Sequence, residues 1–154
     1  MVLVVGANAL ASGMAQAIKA KGGLLILASH DRNAVQKMAH DHECRFIQFE
    51  AIYTTNHDVL VVCESEQVAR SRTNQPSAAM SIHPGYLKPG MTVLDLTAAA
   101  RPTPLLEEAV KRGCGFVSAR QMLFDQIALQ ARLLVGKDVP AEVLTKALPD
   151  YLEE

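Results

Sequence analysis

The chain has 154 residues, of which 49% are hydrophobic, and its 15 basic and 16 acidic residues give a formal charge of -1 at neutral pH. This length predicts one domain with a substantial core and argues against a two-domain enzyme, and the lack of any Lys and Arg cluster argues against a nucleic-acid partner. The longest apolar runs are far shorter than the roughly 20 residues that cross a bilayer, so we expect no membrane partner and a cytoplasmic protein.

The first predicted element is a strand, a turn and a helix. The stretch VLVVGANALASGMAQAI at positions 2–18 has four apolar residues that run into Gly6 and then a helix-forming segment, which is typical of a dinucleotide-binding site. A Rossmann fingerprint needs glycine at the tight turn, glycine where the backbone meets the pyrophosphate, and glycine or alanine where the helix packs on the strand. These positions read Gly6, Asn8 and Ala11, so the second glycine is missing.

Strands and helices alternate through the remainder of the chain. Residues 64–91 are less regular and predict a helix plus a long loop. Apolar runs predict further strands at 24–28, 45–49, 58–63, 92–96 and 115–117, and helical periodicity predicts helices at 33–42, 104–112, 120–135 and 140–151.

This alternation implies right-handed β-α-β crossovers and a parallel sheet covered by helices on both faces. The predicted fold class is therefore α/β, a doubly wound parallel six-stranded sheet of the Rossmann type with two C-terminal helices. We expect a single dinucleotide-binding-like domain over 1–154, with a Rossmann core at 1–119 and a C-terminal helical segment at 120–154.

Cysteine and histidine spacing predicts neither a disulfide framework nor a metal site. Cys44, Cys63 and Cys114 are odd in number and lack a C-x-x-C pair, which indicates reduced and mostly buried thiols. His40 and His42 are two residues apart and point to different sides of a helix, so we interpret them as polar residues at a helix end.

The second half of the chain carries four motifs in order: Pro-Gly at 89–90, a strand ending in Asp95, Thr-Pro-Leu-Leu at 103–106 and a Met-Leu-x-x-Gln-x-Ala helix at 122–128. In these motifs and their order the chain resembles the C-terminal domain of the shikimate and quinate dehydrogenase family. At the first strand the family's Gly-Ala-Gly-Gly-Ala becomes residues 6–10. The resemblance implies the NADP-binding domain of an oxidoreductase of aromatic amino acid biosynthesis that converts 3-dehydroshikimate to shikimate.

The resemblance also implies what this chain lacks. Shikimate dehydrogenases have an N-terminal substrate domain that holds the catalytic Lys and Asp, and this chain begins at the cofactor-domain strand. We therefore assign no catalytic residue, expect the missing substrate domain to be a partner, and expect the isolated chain to be inactive. One origin that stays open is a longer parent protein in which the family's domain is fused behind a 3-dehydroquinate dehydratase.

Several ligand positions implied by the resemblance carry changed residues. The family's Asn-Arg-Thr, whose Arg holds the 2′-phosphate of NADP, is replaced at 28–30; its Asn-Ala-Thr becomes residues 62–64; its Val-Gly-Met becomes 66–68; and a substrate-side Tyr becomes Ala98. Gln126, which reaches the substrate in the family, is retained. The implied cofactor-binding positions are Gly6, Asn8, Ala9, Ser29, Arg32 and Cys63.

The residues themselves favour some roles over others. Asn8 tolerates left-handed backbone geometry, but its side chain would obstruct the pyrophosphate. Asp31 is expected to cap the following helix, and Arg32 could meet a phosphate. Glu64 and Asp95 end neighbouring predicted strands and could face one crevice, although a structural role for Asp95 in the loop before Thr103 is favoured.

Two alternatives stay open. The chain is either the cofactor domain of a shikimate dehydrogenase-like enzyme or a non-enzymatic binding or regulatory module that kept the Rossmann fold. An apolar stripe on the last helix, formed by Val139, Val143, Leu144, Ala147 and Leu148, predicts a homodimer through residues 120–151, with docking on the chain's own preceding helix as the competing outcome.

Overall fold

A computed structural model describes residues 1–64, 82–97 and 102–147 and shows an α/β fold. The strands are β1 Val2–Val5, β2 Leu25–Ser29, β3 Arg45–Gln48, β4 Val59–Val62, β5 Thr92–Asp95 and β6 Gly115–Ser118. The helices are α1 Ala9–Ala20, α2 Arg32–Asp41, α3 Pro104–Lys111, α4 Ala119–Val135 and α5 Ala141–Ala147, and short 3₁₀ helices lie at Phe49–Tyr53 and Pro84–Tyr86.

The six strands form one sheet in the order β3-β2-β1-β4-β5-β6, and every neighbouring pair is parallel. This order confirms the predicted doubly wound Rossmann architecture. The chain leaves the sheet centre in one direction through β2 and β3 and returns to it at β4, so the order reverses between β1 and β4. Such a reversal opens a crevice at the carboxyl ends of the strands.

The sheet is buried on both faces because its central strands are apolar at every position. In β1, Leu3 and Val5 pack on the face that carries α3, whereas Val4 packs on the face that carries α1 and α2. Ala11 and Ala15 are fully buried between α1 and the sheet, since their small side chains let the helix approach the strands closely. The alanine at the third fingerprint position therefore has the predicted packing role.

Side-chain caps determine where the helices begin. The carboxylate of Asp31 accepts a hydrogen bond of 3.0 Å from the Ala34 N–H at the start of α2, which confirms the expected cap. The Ser118 hydroxyl oxygen accepts one of 3.2 Å from the Gln121 N–H at the start of α4. Helix α4 ends at Gly136, whose φ of 71° is the left-handed conformation that favours glycine.

The predicted boundaries differ from the observed ones by one or two residues. Phe49 begins a 3₁₀ helix rather than ending β3, and α2 begins at Arg32. The predicted helix in 64–91 falls largely on residues 65–81, outside the described part, as do residues 148–151 of the last predicted helix. Within the described ranges, no helix is long and apolar enough to cross a bilayer.

A substitution at Leu60 tests the burial of the central strand β4. Its side chain is fully buried, so Leu60→Ala should lower the free energy of unfolding by about 3 kcal/mol and the melting temperature by about 6 to 12 °C. The matched control is Leu24→Ala, just before β2, where the leucine is 69% exposed and the change should stay within about 0.5 kcal/mol. Equal losses measured by thermal unfolding would contradict this placement of the core.

Candidate functional site

The candidate site is the crevice at the carboxyl ends of β1 and β4. The chain passes there from β1 into Gly6 and from β4 into Cys63 and Glu64, with the ends of β2 and β5 on either side at Ser29 and Asp95. Open α/β sheets bind ligands at this edge, where the strand order reverses. Four predicted site residues, Gly6, Asn8, Ser29 and Cys63, come together here.

Gly6 makes the turn that joins β1 to α1. Its φ of 129° is a conformation that other residues rarely adopt. A Cβ atom at this position would lie 3.0 Å from the Glu64 Cβ and 3.3 Å from the Glu64 backbone nitrogen. Glycine is therefore required both by the turn and by the close approach of the segment that follows β4.

Asn8 does not use the left-handed backbone geometry that its residue type tolerates. Its φ of -118° and ψ of 179° are extended, because the residue caps α1. The side-chain oxygen accepts a hydrogen bond of 2.9 Å from the Ala11 N–H, and the side-chain Nδ2 donates one of 2.7 Å to the Cys63 carbonyl. The side chain thus closes part of the helix end and connects α1 to β4.

Glu64 reaches from the end of β4 across the turn to β2. The Ser29 hydroxyl donates a hydrogen bond to Glu64 Oε2 at 3.3 Å, and both side chains are buried. The same Ser29 oxygen accepts a hydrogen bond of 3.2 Å from the Asp31 N–H. The carboxylate therefore lies above the glycine turn, where a dinucleotide pyrophosphate would meet the backbone.

The crevice carries negative charge on its β4 and β5 side. Burial, followed by the Asp95 and then the Glu64 carboxylate, raises the pKa of the Cys63 thiol to about 12. Cys63 is consequently a neutral thiol at physiological pH and has no nucleophilic role. The two carboxylates flank it, as expected for acids that end neighbouring strands.

Asp95 organises the loop after β5. Its Oδ1 accepts hydrogen bonds from the Thr97 N–H at 3.0 Å and the Thr97 hydroxyl at 2.6 Å, and its Oδ2 accepts one from the Thr103 hydroxyl. Thr103 in turn caps α3 through the Leu106 N–H. These bonds confirm the favoured structural role, since both carboxylate oxygens hold the chain on the two sides of residues 98–101.

The outer side of the crevice, beyond β2, is more favourable to an anion. A small cavity of about 140 Å³ lies there, and Arg32 lines it at the amino end of α2. The His30 ring packs on the Phe49 ring with centroids 3.7 Å apart. A cation and a helix amino terminus just past the second strand form the arrangement that can hold a 2′-phosphate.

The remaining predicted residues lie elsewhere or outside the described part. Ala9 is exposed in the first turn of α1, and Gln126 is exposed on α4, past the edge strand β6. The changed positions 66–68 and Ala98 fall on undescribed residues. Within 1–64, 82–97 and 102–147, no group of His, Cys, Asp or Glu forms a metal cluster, and the three cysteines are free.

A larger concavity of about 730 Å³ lies at the opposite edge, between the loops that precede β4 and β5. Burial lowers the pKa of His57 there, and its Nδ1 pairs with the Thr55 carbonyl at 2.7 Å while the Tyr86 hydroxyl lies 3.4 Å from Nε2. These bonds tie two loops together. We assign the functional site to the other edge, since parallel sheets bind ligands at their carboxyl ends.

Comparison with curated proteins identifies shikimate dehydrogenases as relatives. The chain is 35% identical over 66 residues to the shikimate dehydrogenase (NADP(+)) of Gloeothece citriformis, covering 43% of this chain and 23% of that protein. It is 24% identical over 156 residues to that of Syntrophobacter fumaroxidans, covering 99% of this chain and 53% of the relative. The chain thus spans about half the length of the Syntrophobacter relative, and its match to the Gloeothece relative covers less. No family model matches.

Solved structures show the same fold. Thermus thermophilus shikimate 5-dehydrogenase in complex with NADP(H) and shikimate superimposes with a TM-score of 0.72 at 21% identity, covering 95% of this chain and 53% of that one. A shikimate dehydrogenase in complex with NADP+ gives 0.74 at 20% identity, with coverages of 99% and 55%.

Asn8 should stabilise the chain through both of its hydrogen bonds. Asn8→Ala removes the cap and the bond to Cys63, so we expect a loss of about 2 kcal/mol in the free energy of unfolding. Asn8→Asp retains the cap but places an oxygen against the Cys63 carbonyl, and should lose about 1 kcal/mol or more. The control, Ser118→Ala, removes a cap alone. Urea unfolding in which Asn8→Ala loses no more than this control would refute the double role.

Proposed function

We propose that this chain is the nicotinamide-cofactor domain of a shikimate dehydrogenase-like oxidoreductase that uses NADP. The chain is homologous to the shikimate dehydrogenases over about half of their length. The observation that carries the proposal is the alignment of nearly the whole chain with a structure that holds NADP(H) and shikimate. The three free thiols of this chain fit a reducing compartment such as the cytoplasm.

The described residues fit the 2′-phosphate and the adjacent ribose of the cofactor better than they fit its pyrophosphate. Arg32 and the amino end of α2 suit the 2′-phosphate, and Ser29 lies where the adjacent ribose would contact the end of β2. The amino end of α1 suits a phosphate, although Asn8 already accepts from the Ala11 N–H. The Glu64 carboxylate opposes a phosphate at the turn.

Chemistry on the substrate requires groups beyond this chain. When bound, a nicotinamide cofactor supplies or accepts the hydride, but proton transfer needs an acid-base pair, which the resemblance places in a separate substrate domain. Gln126 is proposed to contact the substrate from α4. We propose that the isolated chain binds the cofactor and leaves the proton transfer to a separate substrate domain.

Arg32 should select the 2′-phosphate. Because the guanidinium would pair with that group only in the phosphorylated cofactor, Arg32→Ala should weaken NADPH binding about tenfold, or roughly 1.4 kcal/mol, and change NADH binding by less than about twofold. Isothermal titration measures both dissociation constants. Lys37→Ala, which removes an exposed cation farther along the same helix, is the control and should change neither. Equal weakening of NADPH and NADH would contradict this role.

A coupled assay with shikimate and NADP tests the division of labour. We expect no turnover from the isolated chain, because it carries no assigned acid-base pair. Turnover above background would contradict that expectation, whereas the absence of any dinucleotide binding in the titration would contradict the cofactor role itself.

The Glu64–Ser29 hydrogen bond favours the second candidate function. A carboxylate fixed above the glycine turn is a change expected of a domain that kept the Rossmann fold but lost dinucleotide binding. Such a chain would be a non-enzymatic binding or regulatory module. The same titration separates the two functions, since only the cofactor domain binds NADPH.

We also propose a homodimer through the C-terminal helices. On α4, Leu129, Leu133 and Leu134 are 60%, 84% and 87% exposed. The predicted stripe on α5 is only partly available, because Leu144 is buried and Val143 is exposed, and α5 contacts α4. Packing of α5 on α4 of the same chain therefore accounts for the burial of Leu144. The exposed leucines of α4 still form a face that a second copy could cover.

Sedimentation velocity tests this dimer. Burial of a leucine contributes about 1.5–3 kcal/mol, so the wild-type chain should sediment as a dimer at high micromolar concentration and Leu133→Asp as a monomer. Asn33→Asp adds the same charge at an exposed site on α2 and should remain dimeric. A wild-type monomer at that concentration excludes the dimer.

A further inference from the structure

We infer that Glu64 determines which ligands the crevice accepts: its carboxylate, held above the Gly6 turn by Ser29, disfavours phosphate-bearing ligands and favours ligands that offer hydroxyl groups. The inference rests on the proposed function, because it concerns the ligand of the same crevice. It assigns to a residue just after β4 the discrimination that dinucleotide-binding folds usually place at the end of β2.

The geometry places the side chain on the ligand's path. A Cβ at Gly6 would lie 3.0 Å from the Glu64 Cβ, so the side chain begins directly against the turn. Its Oε2 then reaches Ser29 at the end of β2, 3.3 Å from the hydroxyl oxygen. Because β1 lies between β4 and β2 in the sheet, the side chain crosses the end of β1. A dinucleotide follows the same course, with its pyrophosphate on the turn and its ribose at β2.

The surroundings strengthen the effect of this charge. Glu64 is only 9% exposed, so water and salt screen it less than they would screen a surface carboxylate. Asp95 lies on the other side of Cys63, and both carboxylates act on that thiol. A pyrophosphate that entered would therefore meet two carboxylates across a partly desolvated crevice, where like charges repel strongly.

The same carboxylate is suited to neutral ligands with hydroxyl groups. An ionised carboxylate only accepts hydrogen bonds, and here it already accepts one from the Ser29 hydroxyl. Ribose hydroxyls are donors of the same kind and could share or replace that contact. Glu64 thus penalises the phosphates of a nucleotide without penalising its nucleoside part.

Titration of adenosine, NADH and NADPH into the wild-type chain, Glu64→Gln and Glu64→Thr tests this inference. Glutamine retains the length of the side chain, and threonine is the residue at this position in the family that the chain resembles. Both variants should bind NADPH and NADH at least about tenfold more tightly than the wild type, because the opposing charge is removed. Neither variant should bind adenosine more tightly.

Glu107→Gln is the matched control, since it removes an exposed carboxylate from the first turn of α3. It should change no dissociation constant by more than about twofold. Thermal unfolding verifies that each variant is folded, and either folded Glu64 variant is sufficient for the test.

The outcomes separate the inference from the proposed function. Wild-type binding of NADPH that neither Glu64 variant improves overturns the inference alone, as does an equal gain with Glu107→Gln or with adenosine. If neither the wild type nor a folded Glu64 variant binds NADPH or NADH at millimolar concentration, the cofactor role and the inference both fail. Binding that appears only after Glu64 is replaced supports the inference and identifies Glu64 as the group that blocks the cofactor.

Discussion

The close packing of the β1–α1 turn against the end of β4 is the constraint on which the carboxyl edge of the sheet depends. Gly6 leaves no space for a side chain because Glu64 lies directly against it, and Asn8 connects the amino end of α1 to the Cys63 carbonyl. These contacts fix the first helix relative to the central strands. They also use protein groups where a dinucleotide-binding domain presents bare backbone to its ligand.

The architecture could be predicted from the sequence because its signals are local. The apolar run at 58–63 predicts a strand buried on both faces, and β4 is such a strand. The cap at Asp31 could also be predicted, since it needs only residues within one helical turn. The exact boundaries could not be predicted, because strand ends are set by pairing with neighbouring strands. Phe49, for example, leaves β3 and packs in the core beneath the sheet.

The site depends on contacts between residues distant in sequence, which local patterns do not specify. The sequence allowed a left-handed backbone at Asn8 but could not show that the residue caps α1 in an extended conformation and bonds to a carbonyl 55 residues away. The approach of Glu64 to Ser29 joins residues 35 apart. A glutamate in place of the family's threonine was visible in the sequence as a changed residue, but only the fold shows that its side chain crosses the end of β1.

The charges along the crevice form a gradient that orients any ligand bound there. Arg32 and the amino end of α2 make the outer end, beyond β2, favourable to an anion. Glu64 and Asp95 make the region from β1 to β5 unfavourable to one. A ligand with one anionic end and one hydroxyl-bearing end would therefore place its anionic group near Arg32 and its hydroxyl groups near Glu64. The shared fold supplies the crevice, and these few side chains decide which ligands can occupy it.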